Sequence, residues 1–219
     1  DRGKPMSAFL PSRFTGRLTA LFLALLLAGC TSLIAGGGGG NAPSFYDLTV
    51  PQEGTSAAVP MAMVLVEDPS GSGALLDTGI ARRSSPNELA YFAGARWSDR
   101  LPVMVQRLMV QTLSEAGMKV SAAGSGAPGR AEFELQIDIR AFEAQYFESD
   151  SRPDIRIEWR ARLLRLGPTE IVADRVFSVT VPASGGEMLS IIRSFDEAHQ
   201  DMLLKTRDWL MDQSFAETS

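Results

Sequence analysis

The chain has 219 residues, 45% hydrophobic, 21% charged and 8% aromatic, with one cysteine and a formal charge of −5. These proportions exclude a wholly disordered chain, a collagen-like repeat and a disulfide scaffold, and the length suits one domain with appendages. Residues 1–29 carry +3 (Arg2, Lys4, Arg13 and Arg17 against Asp1) and the remainder −8. An acidic body excludes nucleic acid as the expected partner, because affinity for a phosphate backbone needs a basic surface.

Residues 1–29 read as a signal peptide: a basic stretch to Arg17, the apolar run LTALFLALLLA from Leu18 to Ala28, then small residues. The run is too short to span a bilayer, which takes roughly 20 apolar residues. The sequence opens on Asp1, and a start at Met6 would leave a signal of ordinary length. Leu27-Ala28-Gly29-Cys30 resembles the bacterial lipobox, in which the cysteine thiol accepts a diacylglycerol and the new amino terminus an acyl chain. The alternative for Cys30 is a small buried hydrophobe. Thr31, in place of Asp after the cysteine, implies release to the outer membrane by resemblance to sorted lipoproteins. Stable attachment takes more than one acyl chain, which triacylation would supply.

Residues 30–44, with five glycines at 36–40 and Pro43, read as a tether. A Gly-rich coil of this length spans on the order of 20 Å. No Gly-Lys-Ser/Thr follows the glycines, so they are not a phosphate loop.

The folded body is expected over residues 45–212, with a tail at 213–219. Phe45–Val50 and Met61–Glu67, bounded by prolines, read as strands. Leu101–Ala116 reads as a helix, capped by Ser98 or Asp99, with Pro102 in the first turn and Gly117 past the end. Leu101, Met104, Val105, Leu108, Met109, Thr112 and Leu113 fall on one stripe, the methionines as core filler. A short strand is expected near Met118–Ser121.

Ala131–Ala141, Ile155–Leu163 and Ile171–Val181 alternate apolar and polar residues, and Gly167-Pro168-Thr169 makes a hairpin turn between the last two. Charge matching predicts that the first two strands pair antiparallel with residue numbers summing to 294. Asp138 would then face Arg156, and Glu134 would face Arg160. The stripe Arg156, Arg160 and Arg162 reads as ion-paired, with an anion site as the alternative. Glu187–Leu210 reads as a second helix with Ile192, Phe195, Met202, Thr206 and Trp209 inward and His199, the one histidine, at the stripe's boundary without catalytic duty.

The order predicts an α+β fold: a mixed, mostly antiparallel sheet with two long helices packed on one face. One histidine, one cysteine with an acylation signal, no nucleophile elbow and no metal-ligand spacing argue against an enzyme. No metal or dissociable cofactor is expected, only the lipid on Cys30.

The stretch Ala74–Asp99, ALLDTGIARRSSPNELAYFAGARWSD, holds an Arg pair, a Pro-Asn-Glu turn, Tyr91-Phe92 and Trp97. With Tyr46-Asp47, the segments AEFELQIDIRAFEA, ARLLRL and IVADRVFSVTVPA, and the closing Phe195 and Trp209, it resembles the ABC-type transport auxiliary lipoprotein family, which includes the small lipoprotein of the paraquat-inducible system. The resemblance covers about residues 43–212.

It implies a noncatalytic, periplasm-facing outer-membrane lipoprotein. Its expected partner is an ABC permease and ATPase complex whose substrate-handling subunit is an MCE-domain protein moving lipids. Arg82, Pro86, Asn87, Glu88, Tyr91 and Trp97 become candidate partner contacts. The alternative is that Tyr91, Phe92 and Trp97 pack the sheet on a helix and Arg82 pairs with Glu88. A second functional reading is an envelope-assembly lipoprotein that shields an acyl chain in an apolar cavity. Whether the domain forms a homo-oligomer is left open.

Overall fold

The computed structural model describes residues 42–52, 62–126, 131–148, 151–167 and 169–213. Cys30 and the signal and tether before Ala42 lie outside the described residues. The compact unit begins at Pro43.

Its elements are β1 (Ser44–Tyr46), β2 (Val64–Val66), β3 (Ser70–Gly71), β4 (Gly79–Ser85), β5 (Glu88–Trp97), α1 (Leu101–Glu115), β6 (Val120–Ala122), β7 (Phe133–Gln145), β8 (Asp154–Arg165), β9 (Glu170–Pro182) and α2 (Met188–Met211). The fold is α+β, built on one mixed sheet. β7 is its hub. β8 takes one edge of β7 in a long antiparallel ladder, and β9 continues antiparallel from β8. The other edge of β7 is shared in succession by β2, β3 and β4, all short and parallel to it. β6 adds parallel to β2, and β5 and β1 extend the sheet beyond β4.

The strand alternation decides which face is buried. On β8, Ile155, Ile157, Trp159, Ala161 and Leu163 are all fully buried, while the intervening Arg156, Glu158, Arg160 and Arg162 are part-exposed. On β7, Phe133, Leu135, Ile137 and Ile139 are buried until a β-bulge at Arg140, beyond which Phe142 and Ala144 continue the apolar contacts with Ile157 and Ile155. The bulge inserts one unpaired residue and so exchanges the faces of odd and even positions. This is why the strand runs to Gln145, past the Ala141 at which simple alternation ends.

The register differs from the expected one. Residue numbers sum to 298 before the bulge and 299 after it, so Asp138 faces Arg160, Gln136 faces Arg162 and Glu143 faces Arg156. The two-strand argument omitted β9, whose Asp174 takes Arg160 in a two-pronged ion pair. Exposed cross-strand charge pairs contribute only about 0.2–1 kcal/mol each. The observed register instead stacks Leu135 on Leu163, sets small Ala161 beside Ile137, and lays Arg165 over the Phe133 ring at 5.6 Å.

α1 forms as expected over its apolar stripe, and all seven stripe residues are buried. Its start corrects the expected cap: Arg100 occupies the cap position and no side chain closes it. Asp99 spends its carboxylate on the Arg100 N–H instead, at 2.7 Å, and Pro102 in the first turn removes one of the donors a cap would serve. The end is a Schellman arrangement: Gly117, at φ 85°, donates to Ser114 O at 2.9 Å, and Met118 donates to Leu113 O at 3.0 Å.

α2 lays Ile192, Phe195, Met202, Thr206 and Trp209 on the sheet. Phe195 stacks on Phe142 with centroids 5.5 Å apart and meets the Trp97 ring edge-on at 5.4 Å. The Trp159 indole donates to Thr206 Oγ1 at 3.1 Å. His199 departs from its expected boundary position: it is wholly buried beside Phe142 and Trp159.

The first expected strand is shorter than read. Ladder pairing stops at Tyr46, and residues 47–50 become a strap across the helices. Asp47 accepts from Arg107 of α1 at 3.0 Å, and the Asp196 carboxylate of α2 accepts from both the backbone N–H and the hydroxyl of Thr49, each at 2.7 Å. Polar contacts with the helices replace the sheet ladder there.

Candidate functional site

The peculiar stretch at 74–99 folds as the β4–β5 hairpin, which lacks the period-2 pattern of the other strands. Ser85 pairs with Glu88 across the two-residue turn Pro86-Asn87. Proline fixes φ at about −65°, which at Pro86 excludes the mirror-image turns that match strand twist. The ladder accordingly shifts between Arg82 and Ser85. A larger irregularity between Gly79 and Ala81 leaves extra residues in β5, where Gly94 takes φ 69°.

The candidate contact residues separate into two groups. Pro86, Asn87 and Glu88 form the tip, all exposed. Arg82 lies lower, paired in register with Ala90 of β5 and Ala144 of β7. Its guanidinium acts electrostatically on Tyr146, whose hydroxyl is nevertheless pushed above its usual pKa by burial.

Tyr91 and Trp97 belong to the fold. The Tyr91 ring lies over Gly79, where an added Cβ would come within 2.5 Å of it, and its hydroxyl donates to Ala74 O at 2.8 Å. It keeps an exposed edge, at 40%. Trp97 is 1% exposed, edge-on to both Phe142 and Phe195, so the partner contact expected of it is corrected to a core role. Phe92 leans on Tyr146 with centroids 6.4 Å apart.

Arg83, which sequence reasoning passed over, braces the tip. Its Nε donates to Glu143 Oε1 at 2.8 Å and its Nη1 to the Pro86 carbonyl at 2.9 Å. Glu143 is 4% exposed and also accepts from Gln145 Nε2 at 2.9 Å, so a buried carboxylate with two donors fixes the arginine that holds the turn. The ion pair at this position joins Arg83 to Glu143, not Arg82 to Glu88 as the alternative reading had it. The clue lay in the acid's position beyond the bulge, where it joins the hairpin's neighbour strand.

In the arginine stripe Arg156 and Arg160 are ion-paired, with partners other than the expected ones. Arg156 meets Glu158 at 2.7 Å, and the Arg160 guanidinium holds the Asp174 carboxyl below its usual range. Arg162 lines a groove of about 200 Å³ with Glu67, Asp68, Ser70 and Gln136.

His199 offers no base to a substrate. Neither ring nitrogen has a hydrogen-bond partner, and burial, with the Arg107 charge as a lesser cause, pushes its pKa down to about 3. Among the described residues, no group of three His, Cys, Asp or Glu side chains comes together to hold a metal ion, and no helix is long and apolar enough to cross a membrane.

Known proteins share this architecture. A solved structure of a Xanthomonas campestris protein of the DUF330 family superposes with a TM-score of 0.64 at 25% identity, covering 77% of this chain and 92% of that one. A solved structure of an uncharacterized protein superposes with a TM-score of 0.61 at 14% identity, covering 78% and 99%. No curated protein matches in sequence. The family model for the ABC-type transport auxiliary lipoprotein component matches residues 46–204, from the last residue of β1 into the C-terminal half of α2. The chain belongs to the family of ABC-type transport auxiliary lipoproteins.

Proposed function

We propose that the protein is a noncatalytic adaptor of an MCE-type ABC lipid transport system. In this reading Cys30 carries the lipid that anchors it to the outer membrane, and the folded unit faces the periplasm. The observation that carries it is the family match over residues 46–204, which takes in the whole hairpin and α1. The mechanism is local concentration: an anchored domain on a linker meets its partner as if intramolecularly, which raises occupancy without new contacts.

The hairpin supports the docking role. Pro86, Asn87 and Glu88 are exposed, while Arg83 and Glu143 brace the tip from behind and Tyr91 ties the base of the hairpin to Ala74. Recognition groups on a fixed loop lose little ordering entropy on binding. A noncatalytic role agrees with the burial of the one histidine.

Affinity purification of the lipidated protein from gently solubilised envelopes, with mass spectrometry of what accompanies it, tests the proposal. An MCE-domain protein or its permease should co-purify. Phospholipid at about one per chain with no transporter subunit would replace the adaptor with an acyl-shielding module; the groove beside Arg162 is lined mainly by charged and polar groups, which suits that role poorly.

A further inference from the structure

Behind the hairpin tip, the Arg83–Glu143 pair opens on a groove of about 280 Å³. Arg140, Arg156 and Glu158 of the outer sheet face line it, with Phe147 at its edge. Three guanidinium groups thus converge on two carboxylates, and the carboxylates are unevenly committed. Glu143 is taken by Arg83 and Gln145. Glu158 is taken by Arg156 at 2.7 Å.

Arg140 is left loosely held. Its Nε lies 3.4 Å from Asp138, at the long limit of a hydrogen bond, and its Nη1 lies 3.9 Å from Glu158, beyond it. Arg140 is also the unpaired residue of the β7 bulge, a device that re-aims a side chain out of its ladder position. By contrast, Arg160 on the neighbouring strand is bound two-pronged by Asp174. Each guanidinium offers five N–H donors in a planar fork, and the groove's carboxylates use few of them.

We propose that this groove is a binding site for a phosphoryl oxyanion bearing an organic substituent. Arg140 and Arg156 supply the forks, at 38% and 42% side-chain exposure and so open to solvent. Arg83, fixed by the buried Glu143, adds a third positive charge. A tetrahedral oxyanion can accept from two forks at once, a more directional arrangement than Arg140 has with its present partners. The substituent lies against Phe147, whose side chain is otherwise an exposed apolar surface at 46%. The ligand is either a soluble phosphoester or a lipid headgroup, which share this chemistry. The site does not depend on the transporter reading, and its test involves no transporter subunit.

The test is calorimetric titration of the mature lipidated protein in detergent micelles with glycerol 3-phosphate and, separately, glycerophosphoglycerol, the deacylated headgroup of phosphatidylglycerol. Saturable binding at one site is expected. Arg140→Gln and Arg156→Gln should each weaken it by about tenfold, and Lys205→Gln, on the exposed face of α2, should leave it unchanged. Arg140→Lys, which keeps the charge and removes the fork, should fall between wild type and Arg140→Gln. Near-ultraviolet circular dichroism of the buried Trp97 and Trp159 reports that each variant is folded. Binding of the monoester alone assigns a soluble phosphoester, and binding of the diester assigns a headgroup. No saturable heat with either ligand, or undiminished binding in folded Arg140→Gln, overturns the proposal.

Discussion

The two halves of β7 hold their neighbours by different physics. From Phe133 to Ile139 the strand contributes every second side chain to a core sealed by the two helices. Beyond the bulge at Arg140 it also carries Glu143 and Gln145, which tie the hairpin by hydrogen bonds and charge. Burial is non-directional and tolerates exchange of similar volumes, whereas the charged brace fixes one geometry and fails when either partner is removed. The fold therefore places the exposed Pro86-Asn87 turn on a directional support, which suits an element that must present the same surface each time.

Substitutions should separate the two halves. Trp97→Ala empties the site shared by Phe142 and Phe195 and should cost about 3–5 kcal/mol in denaturant unfolding, enough to unfold a marginal domain. His199 gives a pH-dependent contrast. Unfolded, its imidazole takes a proton near 6.5; folded, near 3. Between those values the unfolded chain binds more protons, so stability is fully present above about pH 6.5. It falls on acidification by up to about 1.4 kcal/mol per pH unit. His199→Leu should flatten that slope in melts recorded from pH 7 to pH 4, and an unchanged slope would mean other groups carry it.

The charged half should respond more mildly. Glu143→Ala strands Arg83 and frees the Pro86 carbonyl, an expected loss of about 1–3 kcal/mol with local loosening of the hairpin in hydrogen exchange. If exchange rises over the whole sheet instead, the brace is part of the global core. The smallest effect belongs to the tip: Asn87→Ala and Glu88→Ala should change stability by less than about 0.5 kcal/mol while reducing recovery of the transporter partner. Equal recovery from the two variants and wild type would move the contact elsewhere.

Much of the core was legible from periodicity alone. The stripe of α1, the inward set of β8 and the five named residues of α2 all follow from spacing, because a side chain's face is set by helical or strand period. The register was not legible from two strands, since Arg160 answers to Asp174 on a third. The bulge was hidden because Arg140 looks like one more outward charge. The two hairpin strands were not legible, and only their Pro-Asn-Glu turn stood out: Arg82-Arg83-Ser84-Ser85 shows no alternation, and both Trp97 and His199 owe their burial to neighbours distant in sequence. At the site, the exposed Pro86-Asn87-Glu88 tip could be read from turn chemistry, whereas Arg83 and Glu143 meet only through the parallel pairing of β4 with β7.

The central claim is that the hairpin tip meets a transport subunit, and photo-crosslinking in intact envelopes tests it most directly. A photoreactive amino acid would be placed at Asn87 in one variant and at Lys205, on the exposed face of α2, in another. The account predicts an adduct with an MCE-domain protein or permease from position 87 and none from position 205. An adduct from position 205 alone, or none with any transport subunit from position 87 in a folded, membrane-bound protein, would contradict it.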